Sequence, residues 1–201
     1  MGVGAIVRVD APGRVVFGVV MDAAAYDETR LYTAAVLRQD PEEPLQPVPL
    51  GEVHMATDDD VRMALRIDGF TGGDRGTGIP VGTYGSAGLA APVYLDADFL
   101  LGPEAAHLNI TGVSGLATKT SAVEFLLTSI FQTFPAHKGS VAALCFNVKG
   151  PDLCFLDQPA ELSPEDVAVY ARLGLSPRPF DAARYYAPCK PDGVNLNTLR
   201  T

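Results

Sequence analysis

Between residues 107 and 146 the chain lays out an order of residues that few folds accommodate. An apolar run, His107-Leu108-Asn109-Ile110-Thr111, leads into a glycine-bearing stretch from Gly112 to Ser121. A segment over 122–134 follows, with Val123, Leu126, Leu127, Ile130, Phe131 and Phe134 at helical spacing. Pro135 to Gly139 closes it, with His137 and Lys138 suited to a helix C-terminus. Then comes the uninterrupted apolar run Val141-Ala142-Ala143-Leu144-Cys145-Phe146, the pattern of a strand buried on both faces. Strand, glycine loop, helix and buried strand make a βαβ unit, which predicts a parallel sheet in the second half of the chain.

The first half has a different rhythm. Short Val- and Ile-rich runs over 3–9 and 14–21 flank Asp10-Ala11-Pro12-Gly13, a strong turn signal, and 31–37 is a further run. A proline-rich connection follows at 41–49. Candidate strands at 54–56 and 61–67 bracket Asp58-Asp59-Asp60, which reads as a solvated turn rather than a metal loop, because no further ligand spacing follows. The glycine-dense stretch 71–78 has no Lys-Ser/Thr pair after it and reads as a loop, with extended segments at 79–82 and 93–95 beyond. Many short strands with Gly/Pro turns predict a small barrel or sandwich. We therefore expect two domains, 1–103 and 104–201. Charge divides with them: of the net −9, the first holds 15 acidic and 7 basic residues and the second 9 and 8.

A phosphate loop needs glycines so that successive N–H groups face one anion, a helix N-terminus behind them, a lysine for the outer phosphates and a Ser/Thr hydroxyl for Mg²⁺. Lys119-Thr120 stands where that lysine and hydroxyl belong, after an apolar run and at the head of a helix. The spacing departs from GxxxxGKT, since Thr118 precedes the lysine and Gly112 lies one residue too far upstream. The alternative is a plain strand-to-helix turn with Lys119 in solvent.

The words Ile79-Pro80-Val81-Gly82, Pro92-Val93-Tyr94-Leu95, Asp98-Phe99 and His107 through Ser121 resemble those of bacterial ATP-binding proteins of the HerA-type branch of the HerA/FtsK motor superfamily. Phe146-Asn147-Val148-Lys149-Gly150-Pro151-Asp152 is similar to the D-P-K-G turn after their second strand. The specific words span 79–157. The resemblance implies a mixed fold, an N-terminal antiparallel β-barrel followed by a partial α/β P-loop (RecA-like) domain. It also implies a ring-forming, homo-oligomeric DNA translocase or helicase using ATP and Mg²⁺, with a nuclease or other effector as partner and DNA engaged by the parent protein. Gly112, Ser114, Gly115, Leu116, Ala117, Thr118, Lys119, Thr120 and Ser121 are then the nucleotide-binding residues. Lys119 serves the β/γ-phosphates, Thr120 the Mg²⁺, and the N–H groups of 114–119 the phosphate oxygens. Asn147 stands where the family has Asp and Thr118 where it has Gly, departures that bear on hydrolysis more than on binding.

A motor also needs an acid at the metal and a trans-acting arginine. Asp157, closing Leu153-Cys154-Phe155-Leu156-Asp157, is the one candidate acid, but it follows the Lys149-Gly150 turn too soon and reads as a short β-extension; Asp152 reads as a turn residue. Weak or absent hydrolysis by these 201 residues is the expectation. The reading from another class is a non-enzymatic oligomerisation or adaptor module.

The remaining residues have bland readings. Ser163-Pro164-Glu165-Asp166 opens a short helix ended by Gly174, and 183–187 is a possible strand whose Tyr185 and Tyr186 serve as core and rim. His107 reads as a packed histidine, and Cys145 and Cys154 as buried small hydrophobes. With Cys189 they form neither a disulfide framework nor a zinc pattern, so a reducing, cytoplasmic setting is the default. No apolar run reaches the roughly 18 residues needed to cross a bilayer. A pI near 4.7 excludes the surface as a whole from gripping nucleic acid.

Overall fold

The computed structural model describes residues 2–26, 29–43, 47–69, 71, 76–86, 89–102, 106–113, 118–147 and 152–186. The chain divides into two compact units, Met1–Asp96 and Ala97–Thr201.

In the first unit, β1 (Ile6–Ala11) and β2 (Arg14–Tyr26) form a hairpin around Pro12-Gly13, where Gly13 takes the left-handed conformation (φ +73°) that the turn demands. β3 (Thr29–Asp40) pairs antiparallel with β2, and the four-residue β4 (Glu52–Met55) pairs antiparallel with β1. The order β3-β2-β1-β4 makes a four-stranded open sheet. β5 (Gly78–Ser86) and β6 (Leu89–Asp96) form a separate two-stranded antiparallel sheet.

The predicted barrel is therefore not present. β3 and β4 are both edges, and closure would require one of them to ladder onto the second sheet. A side chain does that work instead. β4 ends at Met55, the Ala56 N–H still donates to the Ile6 carbonyl (3.2 Å), and the Tyr84 hydroxyl accepts from the Ile6 N–H (3.1 Å) and donates to the Gly4 carbonyl (2.5 Å). Two hydrogen bonds thus join β5 to the edge of β1 where a barrel would need a continuous ladder.

The segment expected as a strand over 61–67 is helical. α1 (Asp58–Ala64) opens with a capping box: the Asp60 N–H donates to Thr57 Oγ1 (3.2 Å), and the Thr57 N–H donates to Asp60 Oδ2 (2.9 Å). The acidic triplet is its first turn, where negative charge suits the helix dipole, and Asp60 is buried rather than solvated. Val61 and Ala64 lie three apart on the buried face, against Ile6, Phe17, Ala56 and Ala91. Phe17 and Val61 are fully buried, so the core of this unit lies where the two sheets and α1 meet. Arg38 of β3 fastens the next turn, its Nη1 donating to the Met63 carbonyl (2.9 Å) and to Asp68 (2.7 Å).

The second unit is helical among the described residues. It contains α2 (Ala97–Leu101), α3 (Thr118–Thr133), α4 (Pro164–Arg172) and single 3-10 turns at Ala136–Lys138 and Asp152–Phe155. Lys138 pairs with Asp98. α3 and α4 meet through an edge-to-face contact of Phe125 and Tyr170 (5.7 Å), and Phe131 meets Phe180 in the same way (5.9 Å). The Gln132 amide donates to the Ser176 carbonyl (2.7 Å) and accepts from its N–H (2.8 Å).

α4 matches its sequence signals: Ser163 caps it, Pro164 opens it, and Gly174 ends it at φ +69°. The Leu175 N–H bonds back to the Tyr170 carbonyl (2.9 Å) and the Gly174 N–H to Ala171 (3.1 Å), a Schellman ending that buries Leu175.

The expected parallel sheet is a second correction. Both sheets among the described residues are antiparallel, and no described residue between 97 and 186 lies in a strand. Residues 107–111, 141–146 and 183–186 are all outside regular structure. A parallel strand draws its stability from neighbours and helices that cover both faces. Here Leu144 and Phe146 are 80% and 79% exposed, and Leu108 is 53% exposed. Cys145 is exposed and Cys154 half-buried, and His107 lies in solvent, so none of the three is the packed residue expected. The β-extension expected at 153–157 is a 3-10 turn.

Candidate functional site

The loop from Gly112 leads directly into α3, which begins at Thr118 and runs for 16 residues. No acidic residue occupies its first turn. The leading N–H groups of any helix have no partner within the helix, and together with the dipole they make its N-terminus electropositive. Lys119 adds a full positive charge there. Its ammonium donates back to the carbonyl of Gly112 (3.0 Å) and reaches that of Val113 (3.5 Å). Among the described residues no carboxylate lies within ion-pair distance of it. The lysine thus reaches back to Gly112 and Val113, with backbone carbonyls as its acceptors. A phosphate is a stronger acceptor for an ammonium than a carbonyl.

Of the residues singled out by sequence, Gly112 and Lys119 are thus brought together. Thr120 is half-buried beside Lys119 in the first turn, and Ser121 is exposed. Ser114, Gly115, Leu116 and Ala117 lie outside the described residues, as does the side chain of Thr118.

The candidate acid is elsewhere engaged. Asp157 accepts a hydrogen bond from the Tyr185 hydroxyl (3.0 Å), whose pKa is raised by burial more than the hydrogen bond to the Leu156 backbone lowers it. Asn147 donates from its amide to the sulfur of Cys154 (3.4 Å), tying the end of the second apolar run to the 3-10 turn. Among the described residues no group of three or more His, Cys, Asp or Glu side chains is gathered for a metal.

A feature not found by sequence reasoning lies in the same unit. A cleft of about 1020 Å³ is walled by Leu127 and Phe131 of α3, by residues 141–147, and by a stretch containing Phe180 and Tyr186. Tyr186 is 89% exposed. The signal was present in the paired tyrosines and the apolar run, but the run reads as buried core when its neighbours are assumed.

No described helix is long and apolar enough to cross a membrane. No family model matches the chain, and no curated protein matches its sequence.

Proposed function

We propose that the loop from Gly112 into α3 binds the phosphates of ATP with Mg²⁺, and that the chain is the ATP-binding part of a HerA-like, ring-forming DNA translocase ATPase of the cytoplasm. One observation carries the reading of the site: Lys119, in the acid-free first turn of a long helix, folds its ammonium onto the carbonyls of its own loop. That arrangement keeps a positive charge at an electropositive helix end where, among the described residues, its acceptors are neutral carbonyl oxygens. The motor assignment rests on the sequence resemblance over 79–157.

In this reading Lys119 holds the outer phosphates, the Thr120 hydroxyl faces the metal, and the loop N–H groups of 114–119 cradle phosphate oxygens. The homo-oligomer, a nuclease or effector partner, and DNA belong to the parent machine. Hydrolysis is weak, because Asp157 is committed to Tyr185 and the amide of Asn147 to Cys154. Mg-ATP should raise the thermal midpoint of the chain, and Lys119→Ala should abolish the rise. Steady phosphate release by the purified chain, lost in Lys119→Ala, would contradict weak hydrolysis.

A non-enzymatic adaptor is the second reading. Its support is the apolar run at 141–146, exposed from Ala142 to Phe146 and without a ladder partner among the described residues. An unchanged midpoint at millimolar nucleotide would favour it.

A further inference from the structure

We propose that residues 141–147, with the cleft they line, form a docking edge for an extended apolar peptide segment bearing acidic flanks, supplied by a partner protein. The backbone carries the first argument. The run Val141-Ala142-Ala143-Leu144-Cys145-Phe146 is continuous, apolar and free of Gly and Pro, yet none of its N–H or C=O groups bonds to the backbone of another described residue. A small apolar ligand would cover Leu144 and Phe146 but strand those polar groups away from water, which is costly. A docked helix has satisfied its own backbone and offers nothing to them. An extended strand meets both needs, pairing its backbone with the run while alternate side chains enter the cleft.

The cleft has a matching shape and charge. Leu127 and Phe131 of α3 form an apolar wall in the cleft of about 1020 Å³, large enough for several side chains. Arg178 and Arg184 line it too, and among the described residues neither makes an ion pair. Arg184 donates to the carbonyl of its neighbour Ala183 (3.1 Å). Among the described residues Asp181 is the one acidic residue of the lining. Uncompensated guanidiniums at a groove favour carboxylates in what enters it. A second copy fits less well, since its own 141–147 edge carries no acid to answer them.

The test uses the full 201-residue chain and a fluorescein-labelled synthetic peptide of alternating valine and threonine with aspartates at both ends. Fluorescence anisotropy should show saturable binding, and amide hydrogen exchange should show protection of 141–147 by about tenfold or more in the complex. Arg178→Ala with Arg184→Ala should weaken binding about fivefold or more, and added salt should do the same. Leu144→Pro removes one N–H at an exposed position and should weaken binding about tenfold. Should that variant unfold, the same peptide N-methylated at alternate residues gives the equivalent loss without changing the protein. Absence of saturable binding would overturn the proposal. So would equal affinity for the N-methylated peptide, which would mean apolar contact alone. Sedimentation showing that the chain dimerises through 141–147 would overturn it in favour of a second copy.

Discussion

The two units treat apolar, β-prone sequence in opposite ways. In the first, Ile6, Val7, Val16, Phe17 and Val20 sit in strands whose neighbours are present, and each is at least 96% buried. In the second, Val141 through Phe146 is just as apolar, yet it has no ladder partner among the described residues and its largest side chains face solvent. β-propensity measures how well a side chain fits a pleated, half-covered surface. The pattern alone therefore states what a segment would do once flanked. Whether it is flanked depends on the rest of the chain: on Arg14–Tyr26 following Ile6–Ala11 across a tight turn, against a 16-residue helix following 107–111.

The contrast is breakable by substitution. Phe17→Ala removes a fully buried ring where β2 meets α1 and should destabilise the first unit by about 3–5 kcal/mol, read by urea unfolding of the strand signal in circular dichroism. A loss below about 1 kcal/mol would mean that the core is not there.

Asp60 offers a finer probe. Burial pushes its carboxyl up, but hydrogen bonds from the backbone and hydroxyl of Thr57 and from Arg8 (3.0 Å) outweigh that and hold its pKa below the ordinary 3.8. A group held low in the folded state contributes stability that is fully present above its unfolded pKa. That contribution fades as pH falls through 3.8 toward the lower folded value. Asp60→Asn should cost about 2 kcal/mol at pH 7 and flatten the acid limb of the stability curve. An unaltered acid limb would show that Asp60 is not the linked group.

Gly174→Ala forces a side chain into the left-handed Schellman position and should cost about 1 kcal/mol, visible as a lower thermal midpoint of the helical signal. Leu144→Ser sharpens the comparison most. Were 141–146 a buried strand, that change would cost several kcal/mol; at 80% exposure it should stay within about 0.5 kcal/mol.

Local chemistry was legible at several elements whose signal was complete within a few residues. Pro12-Gly13, the Ser163-Pro164 start with Gly174 at the end, and the helical spacing over 122–134 all correspond to observed elements. The Thr57-to-Asp60 capping box was equally local, but the β-branched Val61 after an acidic triplet reads as a strand after a turn, and helical burial of Val61 and Ala64 decides otherwise. The missing information was non-local. A barrel and an open sheet share their strands and differ only in whether the edges meet, and here the Tyr84 hydroxyl substitutes for that meeting across 80 positions of sequence. At the candidate site, the sequence names Lys119 but not its acceptors, because the turn back onto Gly112 and Val113 belongs to the backbone.

The most direct measurement is calorimetric titration of Mg-ATP into the purified chain and into Lys119→Ala. Phosphate binding at the α3 loop predicts saturable heat with the natural chain, none with the variant, and competition by inorganic pyrophosphate. Equal heats from the two proteins, or no heat from either at millimolar nucleotide, would contradict it.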